Sequence, residues 1–364
     1  MATLSRAYRA LSFAIVCSTW AALAQPVSEQ EAVRLFLEQS PQARKVPLAE
    51  RAAAAARRDQ AQPPNPRVSY EVEEAGGVRD EFLALEQEIP LNGRRRLLLE
   101  SAGEAASAAR LEAQRDLRSA EAALRAAFVE VLYRERVKRR LSETAARLER
   151  LVEVLAARES EGEGSGYDRL RAEQELARIE IAASEAGAAV SEARERLGAF
   201  FEDESRMAEA TLEGRLELSE APPKSEEAVR RALAQRSDLE ALRADQRRFD
   251  LEQRAARRRR FPEPTLAAGW KRTESLGVGE TGFTASLTLP IPVFDSGRIE
   301  AVRADADRQR IAVEREILER RVRADVRAAI ARERAVREAV VEHGRDLAER
   351  AVELRRIAKL AYDE

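Results

Sequence analysis

All thirteen prolines of the 364-residue chain lie at positions 26, 41, 47, 63, 64, 66, 90, 222, 223, 262, 264, 290 and 292. None falls between Leu91 and Ala221, and none after Pro292. Inside a helix, proline removes a backbone donor and clashes with the preceding turn, at about 3 kcal/mol. The two proline-free stretches can therefore carry very long helices, and their content favours that outcome. Ala, Leu, Glu and Arg dominate, 35% of residues are charged and only 5% are aromatic, a make-up typical of long helices and coiled coils. A helix from about Gly93 to Ser160 would measure about 100 Å at ~1.5 Å per residue, longer than an ordinary globular domain.

Apolar spacing supports the same reading. Leu176, Ile179, Ala183, Ala186, Val190, Ala193, Leu197 and Phe200 alternate steps of three and four, the seam of a coiled coil. Leu117, Leu124 and Val131 keep a seven-residue step, as do Val340, Leu347, Leu354 and Ala361. Alanine at many seam positions allows neighbouring helices to approach closely. The faces dense in Glu and Arg read as solvated surface with i,i+4 pairs.

The proline-bearing segments carry a two-residue period instead. Val68, Tyr70 and Val72 alternate with Ser69, Glu71 and Glu73, and Leu83, Leu85 and Ile89 lie opposite Ala84, Glu86 and Glu88. Leu266, Ala268 and Trp270 alternate with Ala267, Gly269 and Lys271; Phe283, Ala285, Leu287 and Leu289 alternate with Thr284, Ser286 and Thr288. Gly76-Gly77 and the Gly277 to Gly279 segment sit where hairpin turns belong. Nothing outside these segments reads as a strand. Strands of about nine to eleven residues match the length of a tilted membrane-crossing strand, and the alternation is that of a transmembrane barrel. A soluble two-hairpin sheet on a helical body fits the same strands.

The two halves repeat. Glu31-Ala32-Val33-Arg34 recurs as Glu227-Ala228-Val229-Arg230, Pro66 matches Pro264, and Ile89-Pro90 with Gly93-Arg94 matches Ile291-Pro292 with Gly297-Arg298. Each unit reads helix, β-hairpin, very long helix, a duplication that outweighs any single motif. The first unit spans 25–221, with its hairpin at 67–91 and a helical hairpin over 93–205 that turns at Gly162, Gly164 and Gly166, with Asp168 near the start of the returning helix as its expected cap. The second spans 222–364, with its hairpin at 264–291. Before them, residues 1–24 run from Arg6 and Arg9 through an apolar stretch to Ala22-Leu23-Ala24, the order of a secretory signal peptide. That stretch falls short of the about 20 residues a membrane anchor needs. Val16 is a poor residue before a lipoprotein cleavage point at Cys17, and cleavage after Ala24 leaves no cysteine.

Chemistry is sparse. One His and one Cys leave no ligand set for a transition metal and no nucleophile–base pair outside His343. There are no paired carboxylates in a pocket-like context, no phosphate loop and no metal-ligand spacing. No catalytic, cofactor-binding or metal residue is therefore expected, and the chain reads as no enzyme. The net charge of -2 argues against nucleic acid as a partner. His343, beside Glu342 and Arg345, reads as a solvated helix residue. The Arg257 to Arg260 run before Phe261-Pro262 reads as solvation and dipole complementarity at a helix end.

The leader, the duplicated unit and the long helical hairpin together resemble the TolC family of outer-membrane efflux channels, over essentially the whole mature chain. The turn from Arg158 through Gly162, Ser165 and Asp168-Arg169-Leu170-Arg171-Ala172 looks like that family's periplasmic tip. Pro64-Asn65-Pro66-Arg67-Val68-Ser69-Tyr70-Glu71-Val72-Glu73, Gln87-Glu88-Ile89-Pro90-Leu91-Asn92-Gly93-Arg94 and Leu289-Pro290-Ile291-Pro292-Val293-Phe294-Asp295 are similar to the CzcC-type heavy-metal branch. Ser296-Gly297 stands where that branch often has Arg-Asn. Set beside the family, the sequence stops at Ala361-Tyr362-Asp363-Glu364, before the point equivalent to Gly162. A second tip and its returning helix would lie beyond it, so the chain reads as C-terminally incomplete.

The resemblance implies a mainly α fold with a small membrane β part: a TolC-like α-helical barrel and a trimeric twelve-stranded β-barrel. It implies a homotrimer in outer-membrane lipid, with a periplasmic helical tunnel. A periplasmic adaptor would dock at Arg158, Gly162, Ser165, Asp168 and Leu170, with an RND-type inner-membrane pump behind it. Independently, four strands cannot close a barrel, and open edges in lipid cost several kcal/mol per unsatisfied group. The expected pore-lining set is Ser69, Glu71, Glu73, Glu86, Glu88, Lys271, Thr284 and Ser286. The expected lipid-facing set is Val68, Tyr70, Val72, Leu83, Leu85, Trp270, Phe283 and Leu287, with Tyr70, Phe82, Trp270 and Phe283 as candidate interfacial aromatics and ordinary core packing as the competing reading. Acidic rings in the lumen would favour cations, although a merely wetted pore wall fits the same residues; with the resemblance to the heavy-metal branch, heavy-metal cations, or drugs, are the expected cargo. A periplasmic coiled-coil adaptor or scaffold shares the leader and helices but has no need of two duplicated membrane-length hairpins.

Overall fold

A computed structural model of the chain describes residues 26–217 and 221–363. The expected signal peptide and Cys17 lie outside the described residues, and the seam position Ala361 has no described side chain. In chain order the elements are β1 (Val27–Ser28), α1 (Glu29–Gln39), α2 (Pro41–Ala61), β2 (Arg67–Ala75), β3 (Val78–Glu88), α3 (Arg94–Ser160), α4 (Gly166–Gly198), α5 (Glu204–Glu209) and β4 (Leu212–Glu213). Then follow α6 (Ser225–Gln235), α7 (Ser237–Arg258), β5 (Thr265–Ser275), β6 (Val278–Thr288) and α8 (Arg298–Asp363). The fold is mainly α with one small antiparallel sheet, as the two proline-free stretches demand.

Three details depart from the sequence reading. Each helix expected before a hairpin is two helices. Ser40 makes the first break: its N–H donates to the Phe36 carbonyl at 2.9 Å and its Oγ accepts from the Ala43 N–H at 3.0 Å. Pro41 then opens α2 at the position where a missing donor costs least. Pro47, by contrast, lies inside α2. That helix buries no side chain fully, so water can take the carbonyl that Pro47 leaves without a donor. Finally, β1 and β4 form a two-residue parallel pair, Val27 with Leu212 and Ser28 with Glu213. Two residues are too few to carry a period.

The described chain forms two compact units that do not follow the duplication. One combines the segment up to Lys45 with Asp116–Glu220; the other combines Val46–Arg115 with the chain from Ala221 onward. The first is built on a core of Val27, Ala32, Val33, Phe36, Leu124, Phe128, Val131, Leu197, Phe201 and Met207. Leu124 and Val131 of the heptad step and Val190, Ala193 and Leu197 of the α4 seam are buried, as their spacing demands. Phe36 meets Phe200 edge to face at 6.2 Å. Arg194 pairs with Glu135 and donates to the carbonyls of Ala208 and Ala210 at 2.6 and 3.0 Å, tying α5 to the two long helices.

In the second unit α7 packs along α8, burying Leu239, Ala244, Phe249, Ala255 and Ala256 of one helix and Ala301, Ala304, Ile311 and Val322 of the other. Ala108 of α3 packs on Ala241 and Ala244 of α7, a small-residue contact that lets the helices come close. The later heptad positions Val340, Leu347 and Leu354 are exposed.

Candidate functional site

The sheet of the second unit has strand order β2-β3-β5-β6, antiparallel throughout. Its two central strands come from different repeats. Alternation along a strand sends successive side chains to opposite faces, so the register assigns every residue a side. Tyr70, Leu83, Trp270 and Phe283 align in one row across all four strands, and Val68, Leu85, Ala268 and Ala285 form the next. Leu266 and Leu287 follow beside Gln87. All eight residues of the expected apolar set, including Val72, share this face. Trp270 and Phe283 are 57% and 78% exposed.

The other face carries Ser69, Glu71, Glu73, Glu86, Glu88, Lys271, Thr284 and Ser286 together. The same parity adds Arg67, Asp80, Thr273 and Glu280, which the sequence reading passed over because they lie at the strand ends. Lys271 Nζ bonds Asp80 at 2.6 Å, Thr273 Oγ1 donates to the same carboxylate at 2.6 Å, and Arg67 lies 3.6 Å from Glu86. Six carboxylates against two cations leave this face strongly negative, with Glu71, Glu73, Glu88 and Glu280 outside those pairs.

One aromatic is misplaced by the sequence reading. Phe82 pairs with Glu71 and Lys271 on the polar face, its ring 4.9 Å from Lys271 Nζ. It therefore cannot join the row of Tyr70, Trp270 and Phe283. Toward the turns the apolar face also gives way to Glu74, Arg79, Glu81, Arg272 and Glu274, with Arg79 and Glu81 3.1 Å apart. The first turn is Gly76-Gly77 at φ 59° and 81°. The second is Leu276-Gly277, φ 51° and 79°, rather than Gly277 to Gly279, since Val278 and Gly279 already belong to β6. Both turns need left-handed backbone at two residues, and Leu276, 99% exposed, adopts it without glycine's freedom.

Where the sheet meets the helices, the Ile89 N–H donates to the Pro264 carbonyl at 2.9 Å and Asn92 Nδ2 to the Phe261 carbonyl at 3.1 Å. Arg259 bridges Asp295 and Glu300, at 2.7 and 2.5 Å. Burial, with the Glu88 carboxylate beside it, pushes the Glu263 carboxyl above its usual range, while Arg94 opposes the shift.

At the far end of α3, Gly162 has φ 80° and a Cβ on Gly164 would meet the Glu159 backbone nitrogen at 2.9 Å, so the reversal needs both glycines. Ser165, not Asp168, caps α4: its Oγ accepts from the Tyr167 N–H at 3.2 Å. Asp168 sits in the first turn, where its charge complements the helix dipole. Arg169 holds the reversal shut, 2.6 Å from Glu159 and 2.5 Å from Glu173. Tyr167 and Leu170 project into solvent. His343 is exposed on α8. Among the described residues no group of three His, Cys, Asp or Glu is placed to hold a metal ion, and no helix is long and apolar enough to cross a membrane.

No family model matches the chain, and no curated protein does. Solved structures do, and they are outer-membrane channels of the TolC family. CusC, studied for the conformational changes accompanying folding and transmembrane channel formation, aligns at TM-score 0.72 and 14% identity, covering 91% of this chain and 81% of that one. The CmeC outer membrane channel of Campylobacter jejuni aligns at 0.70 and 15%, over 92% and 76% of the two chains. The outer membrane protein VceC of Vibrio cholerae aligns at 0.68 and 14%, over 90% and 84%. At such identity the likeness establishes a shared fold, that of these channels.

Proposed function

We propose that the chain is one subunit of a homotrimeric outer-membrane channel. In this reading it passively conducts cargo from an inner-membrane pump and periplasmic adaptor to the exterior. The observation that carries the proposal is the sheet: two membrane-length hairpins, one face apolar and exposed, the other charged, with β2 and β6 left as open edges. In lipid each unpaired edge group costs several kcal/mol, and pairing β6 of one copy with β2 of the next removes every edge at once. Three copies give a barrel of twelve strands, within the range of known barrels, and the likeness to solved outer-membrane channels supports the same closure.

Function then follows from electrostatics rather than bond chemistry. The polar face turns inward, and its net four negative charges per chain become twelve in the trimer. Rings of carboxylates lower the free energy of cations in a water-filled lumen and raise that of anions. This supports cations, heavy-metal ions among them, as the cargo, in line with the CzcC-like segments and an RND-type pump. The helix reversal at Arg158 to Leu170, with its exposed Tyr167 and Leu170, is the surface offered to the adaptor.

Reversal potentials across a planar bilayer test this. Purified protein should conduct with cation preference, and neutralising Glu71 and Glu73 should move the reversal potential toward zero. Anion preference, or no movement on neutralisation, would refute the selectivity. A water-soluble monomer that never partitions into bilayers would refute the channel and favour a periplasmic scaffold.

A further inference from the structure

A cavity of about 550 Å³ lies between the end of α7 and the start of α8, lined by Gln253, Arg257, Arg260, Gly297, Arg298 and Val302 among others. Three of its lining residues are arginines, all exposed. Among the described residues none of the three forms an ion pair, whereas Arg259, in the same run, is held by Asp295 and Glu300. The one carboxylate of the lining, Asp305, is engaged by Arg308 and Gln309 at 2.9 and 2.7 Å. The wall is tightly fixed: Gly297, at φ 75°, lies so close to the Ala256 carbonyl that a Cβ would collide with it. That approach sets Arg298 beside the end of α7.

Solvation of a helix end does not explain this clustering. In the first repeat, aligned on Pro66 and Pro264, the positions corresponding to Arg257 and Arg260 are Asp59 and Gln62, and the counterpart of Arg298 is Arg94, which faces Glu300 at 3.9 Å. The unpaired cluster belongs to the second repeat alone. Beside it the chain leaving β6 presents Ile291, Val293 and Phe294, each at least 70% exposed, and Arg260 stacks over Phe261 at 4.7 Å. A cationic pocket next to an apolar, aromatic-bearing loop matches an amphiphile with an anionic head.

We propose that this cavity binds the phosphodiester headgroup of an anionic phospholipid, with the acyl chains lying against Ile291, Val293 and Phe294. Guanidinium groups suit this ligand because each offers a planar pair of donors to phosphate oxygens. The inference rests on the membrane reading of the sheet above. The bound lipid would fix the height at which the barrel sits in the leaflet nearest the helices.

Native mass spectrometry of the detergent-purified trimer, titrated with phosphatidylglycerol or phosphatidylcholine, tests the site. Phosphatidylglycerol should bind about tenfold more tightly, and the Arg257→Gln, Arg260→Gln, Arg298→Gln triple variant should lose that preference. A charge-matched control, Arg57→Gln with Arg58→Gln and Arg110→Gln at another cavity of the same unit, should keep it. Equal losses in both variants, equal binding of the two lipids, or displacement of phosphatidylglycerol by millimolar inorganic phosphate would overturn the proposal. Should the triple variant fail to assemble, Arg298→Gln alone must still weaken binding. Bilayer conductance separates the two readings: intact channels without lipid preference sink the pocket alone, whereas wild-type protein that forms no channels sinks both.

Discussion

Leu266 and Ala267 are neighbours on β5, a strand paired on both sides, yet the register puts them on opposite faces. Lysine at one or the other therefore asks which face meets lipid. Leu266 lies four residues along the strand from Trp270 in the aromatic row. At ~3.4 Å per residue and a tilt of about 40°, that places it about 10 Å from the aromatic row, in the apolar row nearest the helices. A lysine facing lipid costs up to about 2–4 kcal/mol per chain, depending on its depth, or at most roughly 30- to 700-fold in an equilibrium constant, and the proposed trimer would carry it three times. At Ala267 the same lysine would point to the polar face, between Glu86 and Ser286, where an opposite charge receives it. Urea titration of protein folded into liposomes, read by heat-modifiable mobility, measures the difference. Leu266→Lys should abolish or strongly lower the folded trimer, and Ala267→Lys should leave it within about 0.5 kcal/mol of the parent. Equal damage from both, or the reverse order, would refute the assignment of faces.

Other expectations concern the helices and turns. Phe128 is fully enclosed in the core of the first unit, so Phe128→Ala should cost about 3–5 kcal/mol, seen as a lower thermal midpoint by circular dichroism. Leu276→Gly should stabilise the second hairpin by about 1 kcal/mol, because glycine adopts the left-handed turn freely; a loss of stability would contradict the turn geometry. Two carboxyls should respond to pH with opposite signs. The Arg236 guanidinium, chelating Asp238 at 3.1 and 2.7 Å, holds that carboxyl below its usual range against the effect of burial. Its stabilisation is complete above the unfolded pKa and disappears as pH falls through the folded one. Glu263, shifted upward, is penalised when ionised, so it contributes more stability as pH falls through its folded value. At pH 7 Asp238→Asn should lower the melting temperature and Glu263→Gln should raise it, and both differences should shrink in acid.

Much of this was legible in the residues because period and proline placement are strong signals. The 67 residues of α3 follow from the absence of proline, and the two-residue period of four short segments sorted both faces of the sheet. What escaped has physical reasons. Phe82 was placed by residue type, since an aromatic invites an interfacial role, but parity along β3 decides its side. Asp80 and Glu280 lie near the turns, where alternation fades into loop composition. Ser165 and Asp168 both fit an N-cap by type, and only the hydrogen bond to the Tyr167 N–H separates them. The cavity at Arg298 was out of reach because it joins the end of α7 to a loop whose path depends on Gly297. Its three arginines looked like any others in a chain full of them.

The sheet order also constrains how the protein is born. The inner edge of the first hairpin has its partner in β5, Glu88 opposite Thr265, with the entire helical middle of the chain synthesised between them. A polypeptide emerging from its N-terminus thus presents a greasy, half-paired ribbon long before its mate exists. That interval is when self-association competes with productive docking. The fold therefore leaves one edge of β3 without its mate until β5 has been made.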